Sequence, residues 1–177
     1  MNLSQKEIED LHVKTDLMDE PLETKADYSS RIRSVFPGIP AGVIEQWFYE
    51  HSGAIEMHAW LDYGSMSVTL ERYSLAQLMQ SCLSEHETIV QYSNHFQKNN
   101  TSRRMASISE YMSSYGTWPV PPILLANPEG LIVTSWGLKC DSPVHLLEGH
   151  HRFAVFYAFA KLNAVSANHD VWTITKK

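Results

Sequence analysis

The chain carries only two cysteines in 177 residues, Cys82 and Cys140, far apart in sequence. They give no framework of paired cysteines and no Cys-x-x-Cys motif. No stretch is long and apolar enough to span a membrane. The N-terminus, Met1-Asn2-Leu3-Ser4-Gln5-Lys6, lacks the apolar core of a signal peptide. The expected location is therefore the cytoplasm, with reduced thiols. Basic runs are also missing. Lysine and arginine number 14 against 20 acidic residues, a net charge of −6. That weighs against non-specific nucleic-acid binding, which depends on neutralising phosphates. There is no nucleophile elbow for a serine or cysteine hydrolase. His145, His150 and His151 match no standard helical metal motif, so no metal site is expected from them.

What is present fits one soluble domain with a sizeable core and a helical extension. Residues 3–14 read as a short amphipathic helix, with Ser4 and Glu7 at capping-box spacing. Asp16 to Asp27 reads as an acidic, solvated loop. Val43, Ile44, Trp47 and Phe48 recur at helical spacing behind Pro40. Their apolar face suits core packing first and a protein partner second. Residues 54–63 and 66–73 have strand-like composition around a Gly64-Ser65 turn. Ser74 can cap a short helix, and longer helices are expected from about 84 to 97 and from about 102 to Tyr115. Lys98 to Thr101 makes a polar break between these two. Gly116 suits the end of the second. Ile123 to Leu125 should enter a strand, Asn127-Pro128-Glu129-Gly130 a turn, and Leu131 to Val133 its partner strand.

The chemistry concentrates at Pro143 to Ala158. Val144, Leu146 and Leu147 form a short apolar run, as in a covered strand. Gly149 breaks it, and Phe153 to Leu162 reads as a buried helix. The first turn of a helix presents unpaired N–H groups and the positive end of the dipole, which suits an anion. Gly149 allows close approach of backbone to a ligand. Arg152 offers a planar fork of donors for a phosphate or carboxylate. His150 and His151 can donate hydrogen bonds or move protons. The plainer alternative is that Arg152 bridges to a neighbouring acidic side chain and Gly149 is only a turn. Arg103 and Arg104 lie in the first turn of their helix, the less favourable end for cations. They are candidates to face the same anion, with an exposed surface position as the alternative for at least one.

Glu148-Gly149-His150-His151-Arg152-Phe153-Ala154 resembles the Gly-x-x-Arg turn of the ParB/sulfiredoxin-like superfamily. Tyr115 to Leu125 is similar to its segment in which a helix ends at Gly and a strand begins at Pro-Ile. Lys161-Leu162-Asn163 and His169 to Thr175 resemble the following helix end and strand. The resemblance covers roughly residues 66–177, leaving 1–65 as an N-terminal helical extension packed on the core. It implies an α/β (α+β) fold with a mixed sheet, and phosphate binding at the start of a helix.

The resemblance also sorts the possible activities. Sulfiredoxins carry a catalytic Cys directly after the Gly; here that residue is His150, which rejects their sulfur chemistry. ParB partition proteins add a helix-turn-helix domain, which is not expected after residue 175. Free-serine kinases carry versions reading Asp-Gly-His-x-Arg, and Glu148 to Arg152 is closest to these. By that likeness, a nucleotide (ATP or CTP) with Mg²⁺ would bind at Gly149, His150, His151 and Arg152, with Arg103 and Arg104 as further contacts. Glu148, with His150 and His151, would be the catalytic candidates of a phosphotransferase or nucleotide hydrolase. Glu71 and Glu110 are candidates for a second carboxylate by position only. The alternatives are an inactive regulatory module that binds a protein partner, and a ParB-like DNA-binding or nuclease protein.

Overall fold

In a computed structural model the protein is described over residues 4–18, 20–51, 53–80, 86–97 and 102–176. Cys82 and the polar break at 98–101 lie outside these residues. The chain divides into two compact units, one comprising residues 1–68 with 174–177 and the other residues 69–173.

The first unit is mostly helical. Helix α1 (Gln5–Leu11) starts with the expected capping box: Glu7 N–H donates to Ser4 Oγ, and Ser4 N–H donates to the Glu7 carboxylate at 2.7 Å. Helix α2 (Lys25–Val35) has no counterpart in the sequence reading. Its apolar stripe is thin, but Thr24 caps it by accepting from Asp27 N–H, and Tyr28 and Ile32 are buried four residues apart. The Thr24-x-x-Asp27 spacing was the available signal. The acidic segment before it is not all solvated loop. Arg31 donates to both carboxylate oxygens of Glu23, at 3.0 and 2.6 Å, and to the carbonyls of Asp10 and His12. One guanidinium thus ties α1, the acidic segment and α2 together.

Helix α3 (Ala41–Val43) continues as a π-helical turn over Ile44–Tyr49. Val43, Ile44, Trp47 and Phe48 are buried there. Trp47 stacks on Phe48 at 4.9 Å, and Phe48 meets Tyr63 at 5.0 Å. That aromatic face is core, which removes it as a partner surface. Residues 54–63 are not a strand: helix α4 (Gly53–Met57) and a 3-10 turn (Ala59–Leu61) occupy them. A short apolar run cannot be told from a buried helical segment by periodicity. Here Ala54 and Ile55 are buried side by side, which a two-residue alternation forbids.

Among the described residues the sheet has four strands, in the order β1-β4-β2-β3. They are β1 (Ser67–Ser74), β2 (Ile123–Ala126), β3 (Val144–Glu148) and β4 (Asn168–Thr175). The fold class is mixed α/β, as expected. Ser74 ends β1 and caps helix α5 (Leu75–Met79) through a second capping box with Gln77. Helix α6 (His86–Gln97) follows, then α7 (Arg103–Tyr115), capped by Ser102 and closed by Gly116 at φ +68°. Helix α8 (His150–Lys161) packs on α6 and α7. Its Phe153, Ala154, Val155 and Phe156 join Met105, Met112, Trp118 and Leu146 in one core.

The antiparallel partner of β2 is β3, with Leu124 opposite Leu146 and Ala126 opposite Val144. Residues 131–133 are not that strand. Leu131 is 74% exposed, and Val133 makes one isolated bridge to Lys139. β3 is the edge strand, yet consecutive residues of both strands are buried, so both faces of the pairing are covered and it selects the run whose side chains can be buried. Val144, Leu146 and Leu147 meet that condition. The expected turn at 127–130 does form, with Gly130 N–H donating to the Asn127 carbonyl. The buried Asn127 amide then holds the returning loop: it donates to the carbonyls of Cys140 and Asp141 and accepts from Ile132 N–H.

His169 on β4 is buried between Trp118 and Phe156, with ring centroids 5.0 and 4.9 Å away. Its Nε2 lies 2.8 Å from the Ser166 carbonyl, which can only accept, so Nε2 carries the proton. Nδ1 then accepts from the Thr117 hydroxyl at 2.8 Å. Burial lowers its pKa below the ordinary value of about 6.5. In the unfolded chain the imidazole takes up its proton first as pH falls, so the stabilisation is complete above that ordinary value and is lost below it. Chemical denaturation from pH 7.5 to 5 should show this loss, and His169→Gln should flatten that part of the profile. An unchanged profile in the variant would assign the acid sensitivity elsewhere.

Candidate functional site

The strand–Gly–helix junction is formed as the sequence suggests. β3 ends at Glu148, Gly149 stands at the helix N-cap with φ +119°, and α8 begins at His150. Phe153 N–H donates to the Gly149 carbonyl and closes the first turn. Only glycine tolerates this position. A Cβ there would lie 2.7 Å from Pro122 Cβ, and 3.2 and 3.3 Å from Arg152 Nε and Nη2. The Arg152 side chain therefore folds back across the glycine backbone.

That fold-back carries the guanidinium to Glu148. Arg152 Nη2 donates to Glu148 Oε2, and the other carboxylate oxygen lies 3.9 Å from Arg104 Nη2. The Arg152 and Glu148 side chains are only 7% and 12% exposed, whereas Arg104 is 46% exposed. The plainer of the two sequence readings of Arg152, a bridge to a neighbouring carboxylate, is the arrangement present. Arg152 Nε remains buried without a hydrogen-bond partner among the described residues. Burial lowers the Arg152 pKa, the Glu148 carboxylate opposes that shift, and Arg104 adds to it. The group is a buried cation held charged by one carboxylate, with a second cation at its edge.

The other candidates divide. His151 turns toward α6, its ring 5.1 Å from that of Tyr92. Adjacent residues on a helix diverge, so His150 and His151 do not act as a pair. His145 pairs with Asp141 at 3.3 Å, one helical-turn spacing earlier in sequence but on a loop and strand. Glu71 accepts from Thr173 at 3.0 Å on the β1–β4 side of the sheet. Glu110 is exposed on α7. No group of three His, Cys, Asp or Glu residues among the described residues is arranged to hold a metal ion.

Arg103 and Arg104 line an open groove of about 710 Å³ along α7, with Ser107, Ile108, Tyr111 and Pro119. Sequence reasoning singled out the arginines but not the rest. The available signal was the spacing of Arg104, Ile108 and Tyr111, which places them on one helix face. No helix among the described residues is long and apolar enough to cross a membrane. No protein-family model, curated protein or solved structure matches this chain.

Proposed function

We propose that the protein is a cytoplasmic, ParB/sulfiredoxin-like nucleotide- or phosphate-binding protein whose anion site is the Gly149–Arg152 turn. The observation that carries this reading is the cluster of Glu148, Arg152 and Arg104 at the start of α8. A carboxylate already bridges two guanidiniums beside a helix N-terminus, with Arg152 Nε still unpartnered. A phosphate has the same charge sign and more acceptor oxygens, and Arg forks suit it. Glu148 is then the resting occupant, and a phosphate group displaces it to take up Arg104 and Arg152. Once displaced, Glu148 becomes available as a Mg²⁺ ligand or a base, with His150 beside it for proton transfer. Phosphotransfer from ATP or CTP, or nucleotide hydrolysis, would follow from that arrangement.

A thermal-shift screen tests the binding step. The panel is ATP, CTP, GTP, ADP and inorganic phosphate, each with and without Mg²⁺, on wild type and on the exposed variant Arg104→Ala. A ligand at a hundredfold excess over its Kd should stabilise the folded protein by about 2.7 kcal/mol. The rise should shrink in Arg104→Ala. No rise with any ligand sinks the reading.

One observation favours a second reading, an inactive module that binds a protein partner. The loop from 131 to 138 exposes Leu131, Val133, Trp136 and Leu138, each by 48% or more. Clustered exposed apolar side chains mark interaction sites. A flat nucleotide screen would favour this reading.

A further inference from the structure

We propose that the groove along α7 takes the nucleoside part of a nucleoside polyphosphate, with the base on Tyr111 and the phosphates on Arg103 and Arg104. The inference rests on the phosphate-site reading above and adds to it the place of the base.

Four observations carry it. The groove's volume of about 710 Å³ lies within the range of about 300–1,000 Å³ usual for small-molecule sites. Its two ends differ in chemistry: arginines at the first turn of α7, and Ile108, Tyr111 and Pro119 beyond them. At a rise of about 1.5 Å per residue, Tyr111 lies about 10 Å along the axis from Arg104. A polyanion joined to a flat ring matches that polarity; a wholly apolar ligand would leave the arginines unused, and a bare phosphate would leave the ring unused.

The cations are not all committed elsewhere. The Arg103 guanidinium has no partner among the described residues, and Arg104 reaches Glu148 only at 3.9 Å. The ring, finally, is held and still reachable. Tyr115 lies one turn on, its ring 4.5 Å from that of Tyr111, while Tyr111 stays 37% exposed. A base stacks on such a face, and cations nearby add to the attraction. Arg104 belongs to both the groove and the Glu148 cluster, so phosphates seated at the groove's head abut the Gly149–Arg152 turn. The net charge of −6 favours a single nucleotide over a long polyanion.

Titration calorimetry of the full chain with ATP, CTP and inorganic tripolyphosphate tests this, using wild type, Tyr111→Ala, Tyr111→Phe and Arg103→Ala. A nucleoside triphosphate should bind at least about fivefold tighter than tripolyphosphate, the lower end of what one stacked base contributes. Tyr111→Ala should erase that difference and leave tripolyphosphate binding unchanged, while Tyr111→Phe keeps it. Arg103→Ala should weaken both ligands. Unchanged melting of Tyr111→Ala would show that the fold is intact.

Equal binding of nucleotide and tripolyphosphate, insensitive to Tyr111, overturns the base site and leaves the phosphate site standing. Binding of neither overturns both. A short single-stranded oligonucleotide that binds tighter than any triphosphate overturns the mononucleotide assignment in favour of nucleic acid.

Discussion

Glu148→Gln should lower stability by about 3–5 kcal/mol, the range for removing one partner of a buried ion pair. The variant keeps the side-chain shape but leaves Arg152, 6% exposed, without its carboxylate. It also leaves Arg104 facing another cation with no negative charge between them. A loss of that size is a large part of the about 5–15 kcal/mol that holds a domain folded, so the urea midpoint should fall steeply. Two further measurements separate the causes. Glu148→Gln with Arg152→Met removes both charges and should recover much of the loss, because a paired apolar replacement is often neutral. Inorganic phosphate should stabilise Glu148→Gln more than wild type, since the resident carboxylate no longer competes for the two guanidiniums. A loss below about 1 kcal/mol, the level of an exposed pair, would mean that water screens Arg152 and that Glu148 is a poor stand-in for a ligand.

Gly149→Ala should cost about 2–6 kcal/mol, from two independent causes. A non-glycine residue held in a sparsely populated backbone region is strained by about 1–3 kcal/mol, and φ here is +119°. A methyl forced into packed surroundings costs about 1–3 kcal/mol more. The Pro122 Cβ at 2.7 Å belongs to a ring that cannot swing aside, and the Arg152 fork at 3.2 and 3.3 Å would have to leave its pairing geometry. The control is Gly38→Ala, where an added Cβ meets nothing within 4 Å. It should be close to neutral or slightly stabilising, through the unfolded chain. Equilibrium unfolding of the two variants side by side checks the contrast, and similar midpoints would refute the account of Gly149.

Much of the local architecture was legible because it depends on neighbours in sequence. Ser4 with Glu7, and Ser74 with Gln77, form capping boxes between residues three apart. Gly116 ends α7, and Gly149 separates β3 from α8, because each needs a backbone conformation that glycine adopts readily. The mixed α/β class follows from the same local signals, together with the apolar runs at 123–125, 144–147 and 153–162.

What the chain could not reveal in one dimension is which partner each element takes. Residues 131–133 and 144–147 are both apolar, and only pairing with β2 in a covered sheet showed that the second run is the strand. Helix α2 gains its stability from the Arg31–Glu23 clamp and the burial of Tyr28 and Ile32 rather than from a strong stripe of its own. The four residues of the Gly149–Arg152 turn supply the glycine and the guanidinium. Which carboxylate the guanidinium meets depended on a side-chain torsion: Arg152 folds back over Gly149, where Glu148 and, from another helix, Arg104 meet it. Sequence determines the donors and the turn, through chemistry and allowed backbone angles. The choice of Glu148 as the resting partner, and the groove beside it, were decided by tertiary packing, because a buried charge takes the nearest opposite charge that the fold supplies.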